Sequence, residues 1–186
     1  SGIGKTYLAE SFLKEIQEES VMILRTSCLE TEKNMMLQAW NTLMMELNTH
    51  LKEKKIILPA KYLRAADQLF PLFSRKEEME SFEDIEISYS YRTARNLILK
   101  LFEELGMKIP VVLFLDNIQN MDASSLDFLS LLIRFRNKKL FILATCPVNW
   151  EDRLKQSLSV LVKEKQITKI FVSPFNRKNV EQMLVE

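Results

Sequence analysis

The chain has 186 residues, the length of one domain that can bury a substantial core. With 47% hydrophobic and 27% charged residues it is too apolar for a disordered segment and too interrupted by charge for a membrane protein; no apolar run approaches the roughly 20 residues of a bilayer span. Twenty-six basic residues against 25 acidic ones leave a net charge of +1, so no global field recommends nucleic acid or an anionic membrane as a partner.

Cys28 and Cys146 lie far apart without a second pair, which fits neither a disulfide framework nor a zinc site. They are expected as reduced, buried thiols, and the chain as cytoplasmic. The sequence opens on Ser1 rather than Met, inside a motif and without a leader, so it is expected to be a piece of a longer protein, cut at both ends.

In chain order, the apolar periodicity predicts a helix over 5–19, a strand over 21–28, and a helix over 34–54 with a Met, Leu and Trp stripe. The charge-dense stretch 74–88 lacks a period and reads as a loop or insertion. A helix over 89–105, capped by Gly106, leads into an apolar strand over Val111–Asp116. A helix over 124–136, a strand over 140–146, a helix over 150–163, a strand over 167–172 and a helix from 176 onward complete the pattern. Helices alternating with short, continuous apolar runs predict a single α/β domain with a parallel sheet covered on its faces.

Ser1-Gly2-Ile3-Gly4-Lys5-Thr6 matches the last part of a P-loop, a Gly-rich turn that aims backbone N–H groups at phosphates just before a helix. Gly2 and Gly4 let the backbone approach an anion in conformations a side chain would forbid. Lys5 is the expected cation for the β and γ phosphates, and the Thr6 hydroxyl the expected Mg²⁺ ligand. The opening Gly of the full pattern and the strand that delivers the chain to the loop fall before Ser1. A helix starting at Lys5, followed by a strand about one helix later, is the context a βαβ unit requires.

Val111-Val112-Leu113-Phe114-Leu115-Asp116 is an apolar strand ending in an acid, the Walker B arrangement that places a carboxylate beside P-loop-bound Mg²⁺. Its structural alternative is a turn acid after a buried strand. The run Leu115-Asp116-Asn117-Ile118-Gln119-Asn120-Met121-Asp122-Ala123-Ser124-Ser125-Leu126 resembles the Walker B segment of AAA+ proteins of the STAND class, the signal-transduction ATPases with numerous domains. Thr26-Ser27-Cys28-Leu29-Glu30-Thr31-Glu32, followed by Gln38-Ala39-Trp40, is similar to the same class of bacterial transcriptional activators. The resemblance implies a P-loop NTPase fold lacking its first strand, ATP and Mg²⁺ as ligands, and a regulatory switch within a multi-domain ATPase. It also implies that the absent strand would sit beside the strand at 140–146, leaving the isolated chain marginally stable. The other domains of the parent are the expected partners, self-association is open, and no direct nucleic-acid contact is expected.

Three positions depart from the family pattern. Asn117 stands where AAA+ enzymes place an acid; an amide orients water but cannot take its proton, so hydrolysis is expected to be weak. Thr145 matches the sensor 1 position near the γ phosphate, and equally the polar end of a buried strand. Pro147 replaces an Arg frequent in this class and offers neither cation nor backbone donor. Arg134 and Arg136 suggest an arginine finger, although the helix C-terminus with Lys138 and Lys139 explains them more simply. His50, among Asn48, Thr49 and Lys52, reads as a solvated surface residue, and Met35, Met36, Met44 and Met45 with Trp40 as a helix-packing surface. Two rival readings are a scaffold that keeps the fold without cycling nucleotide and an AAA+ replication initiator or loader.

Overall fold

In the computed structural model, residues 3–16, 20–71, 73, 88–135, 139–149 and 152–173 are described, the side chains of 152–155 excepted. The helices are α1 (Lys5–Glu15), α2 (Gln38–Glu53), α3 (Ala60–Leu69), α4 (Tyr91–Lys108), α5 (Ala123–Arg134) and α6 (Asp152–Lys163). The strands are β1 (Met22–Ser27), β2 (Val111–Asp116) and β3 (Leu140–Ala144). They form a parallel sheet in the order β1-β2-β3, flanked by helices, which is the predicted α/β architecture.

All six residues of β2 are buried, as its unbroken apolar sequence requires of a strand covered on both faces. Side-chain alternation divides them. Val112 and Phe114 join Ile23, Ala9 and Leu13 beneath α1. Val111, Leu113 and Leu115 face the larger core, where Trp40, Leu43, Met44 and Leu47 of α2 meet Phe102 and Leu105 of α4 and Phe128 of α5. The register Met22↔Val111 to Ser27↔Asp116, continued by Leu115↔Ala144, brings the carboxyl ends of all three strands to one level. Thr145 N donates to the Leu115 carbonyl and Ile118 N to the Thr145 carbonyl, both at 3.0 Å, so the ladder runs one step beyond β3.

Three sequence expectations are corrected, and one helix is added. Residues 167–172 form no strand; Ile170 and Phe171 stay exposed, and no strand among the described residues pairs with the segment. Gly106 is not a cap but a buried residue inside α4. That helix runs on until Pro110 forces the preceding Ile109 into extended backbone, φ −151° and ψ 138°. The helix expected from residue 34 begins at Gln38, after a 3-10 turn at Glu30–Glu32 and a left-handed Leu37. Helix α3 was not expected; Pro59 before it, and Tyr62, Ala65 and Ala66 buried on one face, are its sequence signals. The expected insertion lies almost wholly, and the last helix entirely, outside the described residues. No helix among the described residues is long and apolar enough to cross a membrane.

Candidate functional site

Ligands of open parallel sheets bind beyond the carboxyl ends of the strands, and the sequence-predicted residues converge there. Gly4 precedes α1 with φ 85° and ψ 13°, a left-handed conformation that glycine adopts without penalty. A Cβ at this position would meet nothing within 4 Å, so the backbone angle alone demands glycine. Helix α1 carries no acid in its first turn, and its leading N–H groups have no earlier helical turn to bond. Ser1 and Gly2 lie outside the described residues; Ile3 and Lys5 are half-buried.

Asp116, at the end of β2, is 7% exposed. The hydroxyl of Thr6, which is itself solvent-exposed, lies 3.1 Å from both carboxylate oxygens, although 110 positions separate the two residues. The buried Thr145 hydroxyl, one residue beyond β3, donates to Asp116 Oδ1. The Asn117 amide nitrogen donates to Asp116 Oδ2 at 3.1 Å. A buried carboxylate is thus satisfied by three neutral donors: one from α1, one from just beyond β3 and one from its own neighbour.

Asn117 has φ 58°, a left-handed conformation that Asn tolerates better than most residues. Its backbone N–H donates to Thr145 Oγ1 at 3.0 Å, and Gln119 Nε2 approaches its side-chain oxygen at 3.4 Å. The amide expected to orient water therefore has its nitrogen turned to Asp116. Gln119, not singled out from the sequence, adds a second amide to the cluster, with its Oε1 buried and unpartnered.

The loop after β2 is fastened on its far side. Cys28 N donates to the Asp116 carbonyl at 2.9 Å, and Asn120 Nδ2 donates to the Cys28 carbonyl at 3.0 Å. Asp122 caps α5 by accepting from Ser125 N at 3.0 Å, and Trp40 Nε1 donates to the Ser125 carbonyl at 3.1 Å. Burial, reinforced by Asp116, Glu32 and Asp122, pushes the Cys28 thiol up to about 12, so it is a neutral packing group. Burial also raises Cys146, while the positive charges of Lys5 and Lys169 pull it back. Cys146 is only half-buried, which corrects the expectation of two buried thiols; neither cysteine is in a disulfide.

The remaining candidates sit elsewhere. Pro147 is half-buried. Arg134 is exposed in the last turn of α5, and Arg136 lies outside the described residues. His50 is half-buried rather than solvated; its Nδ1 is 3.5 Å from Glu53 Oε2 without hydrogen-bond alignment. The methionines divide: Met44 is buried with Trp40, whereas Met35, Met36 and Met45 are exposed.

No cluster of three His, Cys, Asp or Glu residues able to hold a metal occurs among the described residues. The donor set at Asp116 suits a different type of site. One carboxylate and the Thr6 hydroxyl are hard oxygen ligands, the kind Mg²⁺ takes alongside phosphate oxygens and water. These residues fit a nucleotide-bound Mg²⁺. Thr6 and Asp116 are the side chains that would hold it.

Neither the curated proteins nor the solved structures give a match to the chain. The family profile described as AAA ATPase domain matches residues 1–143, from the P-loop through α1, β1, β2 and most of β3. With the sheet topology and the meeting of Thr6 and Asp116 already in place, that match over most of the sequence has a plain meaning: the chain belongs to the AAA ATPase domain family.

Proposed function

We propose that the chain is an ATP- and Mg²⁺-binding switch module of a larger regulatory ATPase, with slow hydrolysis. The observation that carries this reading is the Thr6 hydroxyl 3.1 Å from both oxygens of the buried Asp116. A P-loop hydroxyl and a strand-end carboxylate brought side by side beyond the sheet supply the pair of hard oxygens that a nucleotide-bound Mg²⁺ takes. The first-turn N–H groups of α1 and the Lys5 ammonium bind the phosphates, and Thr6 and Asp116 hold the metal. Bound Mg²⁺ supplies charge neutralisation and orientation of the phosphoryl group. By resemblance Thr145 takes the sensor role at the terminal phosphate, and Asn117 can orient water but cannot deprotonate it. That limit on proton transfer favours a nucleotide-state switch over a rapid motor.

The signalling or transcriptional role, with the other domains of the parent as partners and self-association as one assembly, rests on resemblance to the STAND class. The near-neutral charge gives no support to direct nucleic-acid contact. One observation favours the scaffold reading: the Asn117 side-chain nitrogen faces Asp116 rather than an attacking water.

Equilibrium titration of the full chain with Mg·ATP and Mg·ADP tests the proposal, together with turnover measured in Asn117→Ala. We expect saturable binding that Lys5→Ala weakens by at least tenfold, the scale of one charge-assisted contact. We also expect slow turnover that Asn117→Ala abolishes while binding persists. Absence of binding to either nucleotide would replace the switch with the scaffold.

A further inference from the structure

Among the described residues β1 is an edge of the sheet. In a parallel ladder a strand turns the N–H and C=O of alternate residues to its neighbour. Met22 N donates to the Pro110 carbonyl and Cys28 N to the Asp116 carbonyl, both at 2.9 Å, so Met22, Leu24, Thr26 and Cys28 are the residues that bond towards β2. Ile23, Arg25 and Ser27 turn their backbone groups the other way, and such a row is a template for the strand of another chain. Its middle donor is taken: the Glu46 carboxylate of α2 accepts from the Arg25 N–H. Glu46 reaches it because α2 lies on β1. Leu43, Met44 and Leu47 are buried with Met22 and Leu24 in the larger core, and the half-buried Glu46 stands on the flank of that stripe. The Arg25 side chain is exposed at the same point of the edge.

We propose that Glu46 and Arg25 close the edge of β1 against a second copy of the chain. Two copies of β1 paired antiparallel about a two-fold axis at Arg25 are self-complementary, because the same outward donors and acceptors meet in reverse order. Arg25, the middle of the outward residues, would then exchange its N–H and C=O with its own counterpart. Glu46 prevents the exchange by standing where the carbonyl of the second strand would accept. Arg25 opposes it independently, since the pairing sets two guanidinium groups directly across from each other, and like charges at that position repel. The backbone donor is thus occupied from α2, while the side chain of the same residue penalises the approach.

The test is sedimentation equilibrium of the full chain over a concentration series, read as mass relative to the unmodified protein. Arg25→Thr keeps the backbone N–H and removes the charge; with Glu46 in place its mass should equal that of the unmodified protein. Adding Glu46→Ala opens the edge, and the mass of Glu46→Ala/Arg25→Thr should double. In Glu46→Ala/Arg25→Pro the charge is gone as well, but proline has no N–H to give, and edge strands tolerate it. This second double variant should return to the unmodified mass. Doubling by Arg25→Thr alone would mean that Glu46 closes nothing. An unchanged mass in Glu46→Ala/Arg25→Thr would overturn the proposal, and so would equal association of the two double variants, which would put the contact on another surface. If Glu46→Ala does not fold, Glu46→Leu replaces it under the same expectations, because it keeps a helix-favouring side chain without an acceptor.

Discussion

Gly4 shows how one backbone angle sets up the site. Its φ of 85° with open space around a notional Cβ means that Gly4→Ala brings conformational strain without a clash. We expect a loss of about 1–2 kcal/mol in chemical denaturation, the cost of a left-handed residue bearing a Cβ. Nucleotide binding should weaken in parallel if the strain is relieved by moving the loop. Glu46 makes a different residue-level case. Its carboxylate accepts from the Arg25 backbone N–H on the side of β1 away from β2, where an edge strand would otherwise present an unpaired donor. Burial raises its pKa above the ordinary 4.5, although the Arg25 N–H and the charges of His50 and Arg25 oppose the shift. An acid raised in the folded state contributes stability that is full below its unfolded value and is lost as the pH rises through the folded one. Stability from this group should therefore fall as the pH rises from about 4.5 towards neutrality. Glu46→Gln keeps the acceptor and should remove that component of the pH dependence, as denaturation midpoints taken across this range will reveal. The left-handed Gly4 was legible in the sequence because a P-loop requires it. The role of Glu46 was not, because α2 meets β1 only in three dimensions.

At the scale of elements, β2 was the most legible part of the chain. Six apolar or strand-end residues without a polar break leave little alternative to a strand buried on both faces. Residues 167–172 carry four apolar residues but are broken by Thr168 and Lys169, and they form no strand, because a strand is a property of a pair and composition names no partner. Gly106 misled for a related reason: the termination signal that operated was Pro110, four residues later. The join between α2 and α5 has no sequence signature at all. Trp40 packs edge-on against Phe128 at 4.7 Å and donates to the Ser125 carbonyl in the first turn of α5. Trp40→Ala should cost about 3–5 kcal/mol, as truncation of a fully buried aromatic does. Asp122→Ala, which removes the cap of α5 and the acceptor of the buried Ser125 hydroxyl, should cost about 2 kcal/mol, and Asp122→Asn should recover most of it. Both are checked by equilibrium unfolding. Because Ser125 links the two contacts, the double variant should lose measurably less than the sum.

At the scale of the whole molecule, the fold gathers residues from distant parts of the chain at the carboxyl ends of its strands. Thr6 lies at the start of α1, Asp116 at the end of β2, and Thr145 just beyond β3. The motifs paired Thr6 and Asp116 through a shared Mg²⁺. That the Thr145 hydroxyl reaches the same carboxylate depends on strand order and register, which spacing along the chain does not encode. Family membership adds that the arrangement is that of an AAA ATPase domain. The most direct test of the nucleotide-switch account is the thermal midpoint of the full chain with and without Mg·ATP, beside Lys5→Ala under the same conditions. The account predicts a rise equivalent to about 2.7 kcal/mol at a ligand concentration one hundred times the Kd, absent in Lys5→Ala. An unchanged midpoint in the unmodified protein at millimolar Mg·ATP would contradict it.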